Sequence, residues 1–150
     1  MAVRVQTEDF DVGFEISQLG QSRNDIGAIV SFVGLVRDLN DGDTVSQLTL
    51  EHYPGMTEKS LHAIIDQAKV RWRIVDALIV HRVGTLQPGD QIVLVVASSA
   101  HRGDAFAACE FMMDYLKTEA PFWKKEATPQ GDHWVEAKSA DDEARERWNQ

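Results

Sequence analysis

The residues with chemical potential fall in three places along this chain. Ser98-Ser99-Ala100-His101-Arg102 stands where a strand-like run enters a helical one, so free backbone N–H groups, the positive end of a helix dipole, an imidazole and a guanidinium meet at one point. Such a spot suits a phosphate or a carboxylate. Lys117 lies near the far end of the same helical pattern, and seven residues later, beyond Pro121, comes Lys124 within Phe122-Trp123-Lys124-Lys125. A proline-broken corner lets the chain fold back and bring two amines to one rim. An amine crowded by other cations and desolvated by aromatic rings loses its proton more readily, which fits it to act as a base or nucleophile. Arg37 follows an apolar strand at the mouth of a loop rich in Asn, Asp and Gly, a place from which a guanidinium can hold an anion bidentately.

Each cluster also has a plainer use. Ser99 caps a helix, His101 and Arg102 are solvated, basic side chains near a helix C-terminus complement its dipole, and Arg37 pairs with Asp38 or Asp41. Ser99 with His101 does not make a hydrolase site, because no G-x-S-x-G elbow and no orienting acid accompany them. His52, His62, His81 and His133 lack the spacing of metal ligands and read as structural or solvated, so neither a metal nor another cofactor is expected. Cys109 is the single cysteine, which excludes an internal disulfide and any multi-cysteine metal cluster. Its helical-spacing neighbours Phe106, Met113 and Leu116 put it on an apolar stripe, away from the face that carries Lys117.

These side chains need elements to position them. Val3-Arg4-Val5 alternates as a short strand, and Val12, Ile16 and Leu19 recur at helical spacing up to Gly20. Gly27 to Gly34 is a β-branched run that predicts a buried strand, with Arg37 to Asp43 as an exposed loop behind it. Val45 to Tyr53 predicts a strand, broken by Pro54-Gly55 before a long helix marked by Leu61, Ile64, Ile65, Ala68 and Trp72. Ala77 to Val83 and Gln91 to Ala97 predict strands separated by the turn Gln87-Pro-Gly-Asp90, as a hairpin or as neighbouring strands. A helix capped at Ser98-Ser99 then runs to Pro121, and two short strands, Phe122 to Thr128 and His133 to Ala137, flank Pro129-Gln-Gly-Asp132. Residues 138–150 are mostly charged and predict a solvated tail or surface helix. Hairpins mixed with single helices predict an α+β class with a largely antiparallel sheet and packed helices.

Composition narrows the function classes. The chain has 150 residues, with 15 Lys+Arg against 24 Asp+Glu and a formal net charge of −9, which argues against nucleic-acid or anionic-membrane binding. At 43% hydrophobic and 26% charged residues it has the balance of one globular domain, residues 1–150, without repeats or low-complexity segments. No apolar run approaches the ~18 residues of a membrane helix, and the first residues lack a signal-peptide core, so a cytoplasmic address is expected.

Phe32-Val-Gly-Leu-Val-Arg37 with Asn40, Leu50-Glu-His-Tyr-Pro-Gly-Met56, His81-Arg-Val-Gly84, Ser99-Ala-His-Arg102 and Met113-Asp-Tyr-Leu-Lys-Thr-Glu-Ala-Pro-Phe-Trp-Lys124 occur in unbroken order between about Gly27 and Ala137. Together they closely resemble the family of large, catalytic subunits of molybdopterin synthase. The Glu-His-Tyr-Pro-Gly-Met and Leu-Lys-Thr-x-Ala-Pro-x-Trp-Lys strings are the most specific of these matches. The one departure is Leu39, where that family more often carries a polar loop residue.

The resemblance implies a hammerhead-type α+β fold and a homodimer of large subunits. It implies a small ubiquitin-like sulfur carrier at each end, giving a heterotetramer. It implies a sulfurtransferase that converts cyclic pyranopterin monophosphate (precursor Z) into molybdopterin, with sulfur arriving as a thiocarboxylate on the carrier's Gly-Gly terminus. By matching motif, Lys117 and Lys124 are the catalytic lysines, and Arg37, His101 and Arg102 hold the anionic substrate beside them. A rival from another class is a non-enzymatic scaffold that binds a ubiquitin-like carrier and uses its lysines only to hold a carboxylate. A phosphoester hydrolase built on His101, working without a partner, is a third.

Overall fold

Strands arise where apolar β-branched residues run continuously, and such runs need both faces of a sheet covered. The computed structural model of the chain describes residues 1–40, 42–135 and 139–149, without the side chains of Asp43 and Ser139. One sheet contains β1 (Ala2–Gln6), β2 (Ala28–Leu35), β6 (Asp76–Arg82) and β8 (Gln91–Ser99), in the order β1-β6-β8-β2. β1 pairs with β6 in parallel, and the other two pairings are antiparallel, with Ile79 opposite Val95 and Val95 opposite Phe32. The period of two then divides the apolar residues. Ala77, Ile79, Val93, Val95 and Ala97 face α2 (Met56–Arg71) and α3 (Arg102–Glu119), whose Leu61, Ile64, Ile65, Ala108, Phe111 and Met112 complete that core. Leu78, Val80, Leu94 and Val96 face the opposite way, onto Phe10 and α1 (Val12–Gly20), which contributes Val12, Ile16 and Leu19.

A second sheet has the order β10-β9-β5-β7, formed by β5 (Gln47–His52), β7 (Gly84–Leu86), β9 (Phe122–Thr128) and β10 (Gly131–Trp134), all antiparallel. Val36, Leu48, Leu50 and Leu86 form its own small core. A two-stranded ribbon, β3 (Leu39–Asn40) with β4 (Asp43–Thr44), stands between the sheets in sequence. The class is therefore α+β, as expected. None of the described helices is long and apolar enough to cross a membrane.

Several elements differ from the sequence reading. β6 and β8 are antiparallel neighbours, as one of the two expected arrangements has it, but not a simple hairpin: after β6 the chain turns at Gly84, with φ +89°, to add β7 to the other sheet before the Gln87-Pro-Gly-Asp90 turn. That left-handed conformation favours glycine, so His81-Arg-Val-Gly84 marks a switch between sheets. The expected loop after Arg37 contains the β3–β4 ribbon, too short to show a period. Ser98 and Ser99 cap nothing: they end β8, where Ser98 Oγ bonds the backbone of Asp76 and Ser99 Oγ donates to the Arg73 carbonyl at 2.7 Å. The N-cap is His101, in extended conformation and without a side-chain capping bond. Phe106 is 61% exposed rather than on the buried stripe, which runs through Ala105, Ala108, Cys109 and Met112. The strand expected at His133 to Ala137 begins earlier, at Gly131, and its last two residues lie outside those described.

The charged C-terminal stretch is the largest difference. It forms α4 (Ser139–Glu146) and a 3-10 turn (Arg147–Asn149), with Lys138 and Gln150 outside the described residues. The turn docks rather than floats. Trp148 packs edge-on against Trp72 and Phe111 at 5.4 and 5.6 Å, and its indole N–H donates to Asp114 at 2.7 Å. Arg147 pairs with Glu110 and Asp114, and Arg145 with Glu119.

Candidate functional site: a cavity with two lysines

Pro121 ends α3 by geometry: Ala120 turns to extended backbone with φ −82° and ψ 134°, and the Phe122 N–H donates back to the Ala120 carbonyl at 2.9 Å. The reversed chain becomes β9, zipped to β5 with Phe122 opposite His52 and Lys124 opposite Leu50. The Leu50-to-Met56 string secures this corner. Leu50 is buried, and Thr57 Oγ1 bonds Tyr53 and reaches the Pro121 carbonyl at 3.3 Å. Glu58 accepts from the Gly55 N–H at 2.7 Å, at a glycine with φ +85°.

The corner borders a cavity of about 580 Å³, lined by the end of β2, β3, β9 and the last turn of α3, with single residues from β5, β6 and α4 and two from β8. Alternation along β9 sends Phe122, Lys124 and Glu126 into it. Lys125 points the other way and rests 5.7 Å from the Trp134 ring, and Trp123 is half exposed. Of the two adjacent lysines, only Lys124 belongs to the cavity. Lys117 reaches it from α3 and Arg37 from the segment after β2, so three of the expected site residues share one wall-to-wall space. No ion pair joins Arg37 to Asp38 among the described residues, and Asp41 lies outside them.

Asn40, His81, Glu126 and, from α4, Asp141 complete the polar lining, and none of the last three was singled out for a site role from sequence. Glu126 is 6% exposed and accepts from Asn40 Nδ2 at 2.7 Å, which ties the ribbon to β9 and sets a carboxylate among the cations. The spacing from Lys124 to Glu126 carried that signal, since residues two apart on a strand share a face. His81 is buried on β6, its ring stacked on Phe122 with centroids 3.8 Å apart. Burial pushes its pKa down to about 3, the charges of Lys124, Lys117 and His52 act the same way, and the hydrogen bond with the Arg82 carbonyl opposes them. It is an uncharged wall at neutral pH. Nothing in its spacing revealed this, because the contact depends on which sheet each strand joins.

His101 and Arg102 are elsewhere. They sit exposed at the start of α3, 15 residues before Lys117 in the case of Arg102, so ~22 Å of helix separates them from the cavity of the same chain. Cys109 is buried against the Val95 carbonyl at 3.7 Å, and burial, with Glu110 nearby, pushes its thiol up to about 12. That thiol stays protonated and is no nucleophile. No cluster of metal-binding side chains occurs among the described residues.

Two amines, a guanidinium and the carboxylates of Glu126 and Asp141 around one cavity can hold a phosphate and move protons beside it. Comparison with known proteins agrees with that chemistry. The family model described as MoaE protein matches residues 5–119. A molybdopterin synthase catalytic subunit from Ralstonia nicotianae is 62% identical over 146 residues, covering 97% of this chain and 83% of the relative. Its Escherichia coli counterpart is 55% identical over 144 residues, 96% of this chain and 95% of the relative. The solved molybdopterin biosynthesis MoaE protein from Burkholderia ambifaria superposes with a TM-score of 0.86 at 57% identity, covering 100% of this chain and 99% of that one. With such likeness spanning nearly all of its length, the chain belongs to the MoaE family, that of the molybdopterin synthase catalytic subunits.

Proposed function

We propose that this chain is the sulfurtransferase half of a molybdopterin synthase, working in the cytoplasm. It converts cyclic pyranopterin monophosphate to molybdopterin with sulfur carried as a thiocarboxylate on a small ubiquitin-like partner. The observation that carries the reading is the meeting of Lys117 and Lys124 with Arg37 in one cavity, from three separate elements. Arg37 holds the cyclic phosphate, as a guanidinium does bidentately. The thiocarboxylate sulfur attacks an oxygen-bearing carbon of the pterin side chain, that carbon's C–O bond breaks as Lys117 protonates the departing oxygen, and Lys124 stabilises the negative charge that develops; a second thiocarboxylated carrier repeats the step for the second sulfur. Water then hydrolyses the thioester, freeing the carrier as a carboxylate.

The ~22 Å between Arg102 and Lys117 sets the assembly this reading needs. If His101 and Arg102 also hold the substrate, they do so in the cavity of a second copy, and a homodimer with a carrier at each end supplies both sites. Reconstitution with thiocarboxylated carrier and the pterin monophosphate tests the function. Formation of a dithiolene product is expected, whereas tight carrier binding without conversion would establish the scaffold instead. Phosphate release by the isolated chain would point to a hydrolase.

A further inference from the structure

β6 contributes to the cavity one polar atom that the reaction above leaves unused. His81 is 4% exposed, yet its ring lines the cavity beside Lys117 and Lys124. One face is covered by Phe122, with 17° between the ring planes. The Arg82 carbonyl can only accept, so its 2.8 Å contact with His81 Nδ1 is an N–H donation. The tautomer is thereby fixed, with the proton on Nδ1 and a lone pair on Nε2. Nε2 has no hydrogen-bond partner among the described residues, and it is not among the unpartnered atoms sealed inside the protein. It therefore opens onto the cavity. The depressed ionisation of the ring keeps that lone pair available across the neutral range. Facing the cavity, that lone pair is available to a donor that a ligand brings.

We propose that His81 is a substrate-contact residue, whose Nε2 accepts a hydrogen bond from an N–H or O–H group of the heterocycle while Arg37, Lys117 and Lys124 hold the anionic part. This rests on the pterin reading of the cavity. It assigns specificity to a neutral acceptor among charged groups: a ring presenting a lone pair at that point is rejected, and one presenting a hydrogen is taken.

Three variants separate the possibilities. His81→Asn keeps an N–H beside the Arg82 carbonyl and removes the atom facing the cavity. His81→Phe keeps the stack on Phe122, and His81→Gln restores an amide oxygen near the place of Nε2. Calorimetric titration of each folded variant, complexed with carrier, is made with the pterin monophosphate. The Asn and Phe variants are expected to bind it about tenfold more weakly, with carrier affinity unchanged, and the Gln variant to recover most of the loss. Unaltered pterin affinity in the Asn variant would overturn the contact. A fall in kcat alone, with binding intact, would overturn it in favour of a role in orienting a lysine. Failure of the unsubstituted chain to bind the pterin would instead sink the functional reading, and this contact with it.

Discussion

Lys117 and Lys124 arrive at one cavity from a helix end and a strand, so at the residue scale the proposed chemistry turns on which of their amines moves a proton. A general acid or base typically contributes ~10²- to 10⁴-fold in rate. Lys117→Ala is expected to lower molybdopterin formation by about that factor while folding and carrier binding persist. Lys117→Arg should be almost as damaging, because a guanidinium keeps the charge but does not deprotonate near neutral pH. Near-normal turnover by either folded variant removes Lys117 from the mechanism. Cys109, protonated and buried, should be dispensable: Cys109→Ala is expected to keep most activity with a stability loss of ~1 kcal/mol, read by urea unfolding and by product assay. His81 gives a pH signature. Its folded pKa of about 3 lies below the unfolded value, so the unfolded chain binds the extra proton. The associated stability is complete above pH ~6.5 and is lost as pH falls toward 3, by about 1 to 2 kcal/mol between pH 7 and pH 5. Urea unfolding of the His81→Asn variant should show a shallower pH dependence over that window, and an unchanged slope would contradict the buried neutral imidazole.

At the scale of elements, packing faces decide what was legible. The β6 and β8 runs, α2 and the Pro121 corner are readable because period and breaker residues act locally. The β7 excursion, the β3–β4 ribbon and the docking of the last turn are not, because each depends on a partner distant in sequence. Gly27 shows how a local reading misses such a constraint. A Cβ there would sit 2.0 Å from the Ala100 carbonyl oxygen, while the Gly27 N–H donates to the Ser99 carbonyl at 2.9 Å. Backbone meets backbone, so nothing flexible can yield. Gly27→Ala should therefore destabilise by about 3 kcal/mol in denaturant melts, with the damage concentrated at the start of α3. Trp148, half-buried against Trp72 and Phe111, should cost about 2 to 3 kcal/mol as Trp148→Ala, where a solvated tail would cost nothing.

On the scale of the whole molecule, the same α3 carries candidate site residues at both ends. Arg37, Lys117 and Lys124 were legible as a set because the chain reverses once between the two lysines. His101 and Arg102 stand at the other end of that helix, ~22 Å away in the same chain, a separation that residue types and motif matches alone do not convey. In a two-fold dimer, one protomer's Arg102 and its partner's Lys117 would form a site together. Mixing the Arg102→Ala and Lys117→Ala chains should then restore about a quarter of wild-type sites, because half of the dimers are mixed and each has one intact site. No recovery on mixing, with subunit exchange verified, would leave Arg102 outside the shared site.

The most direct measurement follows the carrier's own mass through a single turnover. With the unsubstituted chain and the pterin monophosphate, the carrier's terminal thiocarboxylate should become a carboxylate in step with the appearance of dithiolene sulfur. With Lys117→Ala, the bound carrier should keep its sulfur over the same interval. Thiocarboxylate loss and product formation at wild-type rates in the folded, carrier-bound Lys117→Ala variant would contradict a sulfur transfer run by the lysines of this cavity.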